Sequence, residues 1–153
     1  MNKQINLLAE EAMLAVKKEI AENKERVAFL LEEGEHLDAD GYPSEAALEI
    51  IEKWHWDAIP GWFKFIEDIW YLRTWGWATK LEQHDYVKDK QVRRYHISTA
   101  GWSGNESIIK AMQQNFMLWS LTWVQSRRGG HFIFELKEIE ESPIPKVDIK
   151  CGV

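Results

Sequence analysis

The sequence predicts an α+β fold, with helices in the first half of the chain packed against a small, mainly antiparallel sheet from the second half. Up to about residue 75, apolar residues recur at helical spacing. Later, three β-rich segments at 92–99, 117–125 and 131–136 are predicted strands, and a Gly-Gly turn separates the last two. At 153 residues the chain is long enough for one domain with its own core.

Residues 3–33 are predicted to form one long amphipathic helix, because no Pro or Gly interrupts them before Gly34. Their apolar stripe consists of Ile5, Leu8, Ala12, Val16, Ile20, Val27 and Leu31. We favour a helix packed on the domain core. Pairing with a second copy, giving a homo-oligomer through residues 3–33, stays open as the alternative.

Two further helices are expected after a loop at 33–43. Ser44 is the predicted cap of the first, which runs from residue 45 to about 56, and the second runs from about Gly61 to Tyr71 or Trp75. The aromatic residues of the second of these helices recur at helical spacing, which is typical of core. The exception is Trp75-Gly76-Trp77 at a helix end, where an exposed pair could stack on a base, although capping the core is the favoured interpretation.

The second half is predicted as strand, loop, helix, strand, hairpin and strand. A polar turn at 84–90 precedes the first of these strands. The segment TAGWSG breaks that strand, and Ser103 with Glu106 matches a capping box, so a helix should begin near Gly104 and stop at Asn115. In the run 117–125, Trp119, Leu121 and Trp123 share one face of the predicted strand. Gly129 and Gly130 then supply the positive φ of a tight turn.

This second half also holds the predicted binding site. A strand-to-helix loop leaves backbone N–H groups free for an anion, and its glycines let a ligand approach closely. The hairpin adds cationic groups, although spacing alone does not place its tip beside the loop. The predicted ligand-binding residues are Ser98, Thr99, Gly101, Trp102, Ser103, Gly104, Asn105, Arg127, Arg128 and His131, with Trp75 and Trp77 as stacking surfaces.

The charge distribution narrows the ligand class. The chain carries a net charge of −6, yet residues 88–131 hold seven Lys or Arg against two acidic residues. A basic region on an acidic body favours a compact anionic ligand and disfavours binding of duplex DNA. For the lysines, ordinary solvated surface charge is an equal alternative.

Several classes of site lack their motifs. The five His residues are scattered, Cys151 is the single Cys, and the acidic loop at 33–43 lacks the spaced ligands of an EF-hand, so no metal or other cofactor is predicted. There is no Walker A sequence and no G-x-S-x-G elbow. A hydrolytic interpretation would need His131 or His96 as base, Glu106 as its partner and Arg127 as charge stabiliser. The spacing does not demand this, and no catalytic residue is predicted.

The sequence pattern predicts neither a signal peptide nor a membrane span. The charged, amphipathic first 20 residues do not resemble a signal peptide, and no apolar run reaches the ~18 residues that a membrane span needs. We therefore expect no membrane association. The single Cys fits a reducing cytosol.

The motifs TAGWSGNESII and RRGGHFIFE, with the tryptophan-rich run between them, resemble a set of small proteins of tailed bacteriophages and prophages. The segment DGYPSEAALEII resembles a helix start in the same set, and the likeness spans residues 40–136. The resemblance implies a phage origin and action in the host cytoplasm, but no defined activity.

Three functions are carried forward. The first is a binding protein for a phosphate-bearing nucleotide, which in a phage could sequester a host immune signalling nucleotide as an anti-defence factor. The second is an enzyme that acts on a nucleotide or phosphoester. The third is a protein-interaction module that uses the helix at 3–33.

Overall fold

The computed structural model describes residues 2–136, and this part of the chain has the predicted α+β fold. The expected tail at 137–153, with Cys151, lies outside the described residues. The helices are α1 (Asn2–Glu33), α2 (Glu45–Lys53), α3 (Ile59–Ile69), α4 (Arg73–Gly76), α5 (Ser103–Gln114) and α6 (Phe116–Thr122), with a 3₁₀ turn at Trp56–Ala58. The strands are β1 (Trp77–Gln83), β2 (Gln91–Ser98), β3 (Trp123–Arg127) and β4 (His131–Leu136).

The four strands form one antiparallel sheet in the order β1-β2-β4-β3. In the two central strands, Tyr95 lies opposite Phe134 and His96 lies opposite Ile133. Because side chains alternate between the faces of a strand, Tyr95 and Phe134 point to the face covered by helices, whereas His96 points to the outer face.

Phe63 of α3 joins the helices to the sheet. Its ring stacks on Tyr95 at a centroid distance of 4.1 Å and meets Phe134 at 5.6 Å. Helices α2, α3 and α5 complete this core with fully buried side chains. The expectation that the α3 aromatics are core is confirmed, because the predicted face is buried at Trp62, Phe65, Ile66, Ile69 and Trp70.

The prediction of a strand at 117–125 is wrong for most of its length. Residues up to Thr122 are helical, and only Trp123 onward joins the sheet. Asn115 accepts a hydrogen bond from Leu118 N and so starts α6, while Thr122 Oγ1 donates to the carbonyl of Leu118 one turn earlier. Leu118 and Thr122, four residues apart, are the buried positions of α6, whereas Leu121 is 47% exposed. A short apolar run fits the period of a strand as well as that of a helix, and here the Asn115 cap favours the helix.

Strand β1 was not predicted. The predicted third helix ends at Tyr71 or Trp75, and the sequence pattern assigns no element to the segment between it and the turn at 84–90. In the structure α3 ends at Ile69 and the chain turns at Leu72, which has a φ of 57°. β1 is an edge strand, and its exposed polar residues disguise the alternation. The expected turn at 84–90 is confirmed as the connection from β1 to β2, closed by a hydrogen bond from His84 N to Lys90 O.

Helix α1 has the predicted extent but not the favoured packing. Leu30 is buried, and Val27 and Leu31 pack on the core, so the last two turns are part of the domain. Toward the N-terminus, Leu8 and Leu14 are each 65% exposed. The packed-helix interpretation is therefore wrong for the N-terminal part of α1 up to Leu14, whereas Val16 and Ile20 are half-buried.

Asn115 ties three helices together, and this generates a stability prediction. Its side-chain amide donates to the carbonyls of Ile51 and Trp54 at 3.1 and 3.0 Å, besides capping α6. Asn115→Ala leaves those carbonyls without this donor and removes the cap, so we expect a loss of about 2–4 kcal/mol in unfolding free energy. Urea denaturation should show it, with exposed Gln113→Ala as the control. Equal midpoints for the two variants would contradict the role given to Asn115.

Candidate functional site

One end of the sheet brings together residues that are far apart in the sequence. Because all strands are antiparallel, β2 and β3 end where β1 and β4 begin. Ser98 lies opposite His131, and His131 lies opposite Arg127 on the other side. Thr99 N donates to Gly130 O at 3.0 Å. The question that spacing left open is thus answered, because the hairpin tip lies against the start of the loop.

Gly130 permits this contact for two reasons. Its φ of +79° favours glycine, and a Cβ built on it would lie 2.3 Å from Thr99 Oγ1. Thr99 is only 1% exposed, so its side chain is packed against the hairpin and does not face a ligand. Gly129 shares the positive φ, but a Cβ there would meet open space.

The loop uses its own N–H groups more fully than the sequence indicated. Ala100 N donates to Ser98 Oγ, Gly101 N to Thr99 Oγ1, and Trp102 N to Thr99 O. These donors, expected to be free for an anion, are therefore occupied within the loop. A ligand at this end of the sheet has to be held mainly by side chains.

The capping-box prediction is also wrong. Trp102 is the N-cap residue of α5 and makes no side-chain cap, and Ser103 is already in the helix. Ser103 Oγ donates instead to the hydroxyl of Tyr42 at 3.0 Å. Glu106 is exposed, and its N–H bonds to Trp102 O in the first turn.

An aromatic cluster covers the start of α5. The ring of Trp102 lies over Gly104, where any Cβ would meet it at 2.2 Å, and its faces are flanked by Tyr42 and Tyr71 at 4.8 and 4.6 Å. Asn105 is fully buried and bonds to the backbone of Tyr71 through both its oxygen and its nitrogen. Gly104 therefore leaves room for the Trp102 ring, and Asn105 holds the backbone of Tyr71 in place. The two tyrosines were not predicted, because they come from distant loops.

The two candidate stacking tryptophans have different environments. Trp77 is 9% exposed and packs against Trp70 and Tyr95, and its ring N–H has no acceptor within residues 2–136. Trp75 is 70% exposed. It is held at the same end of the sheet, because the adjacent Gly76 lies against Ser98 O. Only Trp75 is therefore available to a ligand.

The arginines at this end of the sheet differ from Arg94 in their partners. Arg94 lies within 3.2 Å of carboxylates of Glu82, Asp85 and Glu135. For Arg127 and Arg128, which are both exposed, no carboxylate within the described chain is at ion-pair distance, and the Arg127 guanidinium contacts only the amide oxygen of Gln125. Arg127 and Arg128 thus offer uncompensated positive charge.

The outer face of the sheet carries a polar network that the sequence pattern does not predict. Glu82 is hydrogen bonded to His96 at 2.9 Å, and the His96 ring lies 5.9 Å from that of His131. Burial acts to raise the pKa of Glu82, but its bonds with Arg94 and His96 outweigh burial, so the pKa lies below the ordinary carboxyl value. Glu82, and not Glu106, is therefore the carboxylate that pairs with His96. The sequence does not predict this pair, because it does not predict β1.

The described residues form no metal site and no membrane-spanning helix, and similarity to known proteins adds no assignment. Within residues 2–136, no group of three or more His, Cys, Asp or Glu side chains could hold a metal ion. No helix in that range is long and apolar enough to cross a membrane. Comparison of the chain with protein-family models, curated proteins and solved structures found no match.

The contact between loop and hairpin can be tested with a matched pair of glycine variants. Gly129→Ala and Gly130→Ala both place a Cβ at positive φ, but only the second forces Thr99 away. We expect Gly130→Ala to lower the melting temperature more, by the equivalent of about 1–3 kcal/mol for an overpacked contact. Differential scanning fluorimetry measures both variants. Equal shifts would show that the hairpin does not pack on Thr99.

Proposed function

We propose that the protein binds a phosphate-bearing small ligand of nucleotide type at the end of the sheet formed by Ser98, Arg127, Arg128 and His131. The observation that carries the proposal is the pair of exposed arginines for which residues 2–136 supply no carboxylate partner, held beside His131 by the β3–β4 turn. Guanidinium groups match the planar geometry of phosphate oxygens and bind them through paired hydrogen bonds.

An exposed aromatic ring at this end of the sheet supports a ligand with an aromatic base. Trp75 on α4 is 70% exposed, whereas the faces of Trp102 are already flanked by Tyr42 and Tyr71. Base–aromatic stacking contributes about 1–3 kcal/mol per base and tolerates different bases. Together with the arginines, the Trp75 ring favours a nucleotide over inorganic phosphate.

The resemblance to phage proteins suggests which nucleotide the site would bind and what the binding would achieve. In the host cytoplasm, a phage protein with this site would capture a host immune signalling nucleotide and so act against the defence that the nucleotide triggers. Mass spectrometry of small molecules released from protein purified from infected cells would identify the ligand.

Isothermal titration tests the site with mono-, di- and cyclic nucleotides. We expect Arg127→Ala or Arg128→Ala to weaken binding by roughly ten- to a hundredfold, since one charge-assisted contact contributes ~1.5–3 kcal/mol. Arg127→Lys should restore only part of it, because an ammonium lacks the planar fork. Arg26→Ala, which removes the same charge from exposed α1, is the control. If both hairpin variants bind every wild-type ligand equally well, the site assignment is wrong.

A second candidate function is association with another protein chain through α1, and the exposure of its apolar residues favours it. Ile5, Leu8 and Leu14 are each more than 60% exposed. Most helical stability in proteins comes from packing of an amphipathic face, which this part of α1 lacks. A second copy is the partner we favour, since a groove of about 460 Å³ at the base of α1, between Val27 and Phe65, offers an apolar seat for its helix.

Light scattering coupled to size-exclusion chromatography tests this association. We expect the wild type to elute as a dimer and Leu8→Glu to elute as a monomer, because a charge on the stripe opposes its burial. Asn6→Glu adds the same charge on the opposite side of the helix and should leave the dimer intact. A monomeric wild type at high protein concentration would remove the candidate.

A further inference from the structure

The outer face of the sheet carries two histidines that no sequence motif joins. His96 on β2 and His131 on β4 are diagonal neighbours, because Ile133 lies opposite the first and Ser98 opposite the second. Their ring centroids are 5.9 Å apart and the rings are tilted by 34°. Both side chains are half-buried, so each ring is partly shielded but still reachable from solvent.

His96 is held in place by a carboxylate that is itself held. Its Nε2 lies 2.9 Å from one oxygen of Glu82, and the other oxygen of Glu82 accepts from Arg94 at 3.1 Å. Arg94 is fixed in turn by Glu135 and Asp85, and its side chain is 11% exposed. A carboxylate on one ring nitrogen orients the imidazole and leaves the other nitrogen for chemistry. Within residues 2–136, Nδ1 of His96 makes no hydrogen bond.

His131 has the opposite environment. No carboxylate of the described chain pairs with it, and Arg127 lies opposite it across the β3–β4 ladder. Burial lowers the pKa of His131 below the ordinary value of 6.5, and the neighbouring His96 and Arg127 lower it further. His131 is therefore mainly neutral near pH 7 and able to accept a proton. Two neighbouring imidazoles, one bonded to a carboxylate and the other beside an arginine, have the arrangement of an acid–base pair.

We propose that His131 and His96 hydrolyse a phosphodiester of the bound nucleotide as general base and general acid. This rests on the proposed function, because the phosphate must first be held at this end of the sheet, the role proposed for Arg127 and Arg128. His131 takes a proton from water while the water oxygen bonds to phosphorus. The phosphorus–oxygen bond to the leaving alcohol breaks, and protonated His96 gives its proton to that oxygen.

The products are a phosphomonoester and an alcohol, and water is the only co-reactant. Both histidines regain their starting protonation by exchange with solvent. Arg127 is placed to offset the negative charge that gathers on the phosphoryl oxygens. Glu82 does not touch the substrate in this scheme and is a positioning residue for His96. The same network also stabilises the sheet, so the test needs readouts that stability alone would not change.

Hydrolysis of bis(4-nitrophenyl) phosphate and of a panel of cyclic nucleotides, followed by absorbance and phosphorus NMR, tests the proposal. We expect the wild type to turn over at least one of these substrates. His96→Asn and His131→Asn should each lower kcat by roughly a hundredfold or more, the usual contribution of a positioned acid or base. His84→Gln is the matched control, because His84, like His96, lies near a carboxylate (Glu135, at 3.9 Å), but it lies on the β1–β2 connection. It should stay within a few-fold of wild type.

Two readouts separate chemistry from loosening of the sheet. The wild-type rate should fall on acidification only below the ordinary imidazole pKa, because the base His131 has a lowered pKa. His131→Asn should remove this acid limb while the variant still binds nucleotide in titration. Glu82→Gln should reduce kcat with little change in KM.

The outcomes distinguish the two proposals. If the wild type cleaves none of these substrates but binds a nucleotide that Arg127→Ala binds more weakly, the acid–base pair is overturned and the binding function stands. If His96→Asn and His131→Asn cleave as fast as the wild type, the pair is again overturned. If the wild type cleaves while Arg127→Ala and Arg128→Ala show unchanged KM and affinity, the reaction stands and the proposed binding residues are wrong.

Discussion

Strand β2 is the element on which both the core and the candidate site depend. It is hydrogen bonded on both sides, to β1 and to β4. Tyr95 and Ile97 face the core, where Tyr95 meets Phe63, while Arg94 and His96 face outward. Since side chains alternate along a strand, a slip of one residue would bury the ion-pair network and expose the core. The pairing that builds the core therefore also sets the position of the polar face, and neither can change alone.

The end of β2 shows how the neighbouring loops become one unit. The carbonyl of Ser98 accepts from the Trp70 ring and lies against Gly76, which fixes α4 and the start of β1 at this point. One residue later, Thr99 packs on Gly130 of the hairpin. The chain then turns through Ala100, which has a φ of 55°, a strained conformation for a residue with a Cβ. Such strain persists only where surrounding contacts determine the backbone, as they do here.

The sequence predicted the fold class, α1–α3, the central strands and the hairpin, because their periodicity or turn chemistry is local. It did not predict β1 or α6. β1 is an edge strand with polar faces, and the identity of α6 depends on Asn115, whose other bonds run to a helix about 60 residues earlier. The candidate site shows the same division between local and distant contacts. The sequence groups motifs that are near one another along the chain, but Thr99 and Asn105 have packing roles. Tyr42, Tyr71 and Glu82 come from segments that only the tertiary fold brings near.

The distribution of compensated charge supports the proposal that this end of the sheet binds a compact anion. The protein carries a net charge of −6, and it surrounds Arg94 with three carboxylates while leaving Arg127 and Arg128 without any in the described chain. A long polyanion would have to cross the acidic surface, where repulsion acts along its whole length. A small phosphate ester needs only the few ångströms around the hairpin, within one screening length of the arginines. The same compensation makes Arg94 a fixed support for Glu82 and His96, because a cation already satisfied by three carboxylates has little to gain from a ligand. Arginines thus have two environments on one sheet. Arg94 supports Glu82, which bonds to His96, whereas the proposed function assigns phosphate binding to Arg127 and Arg128.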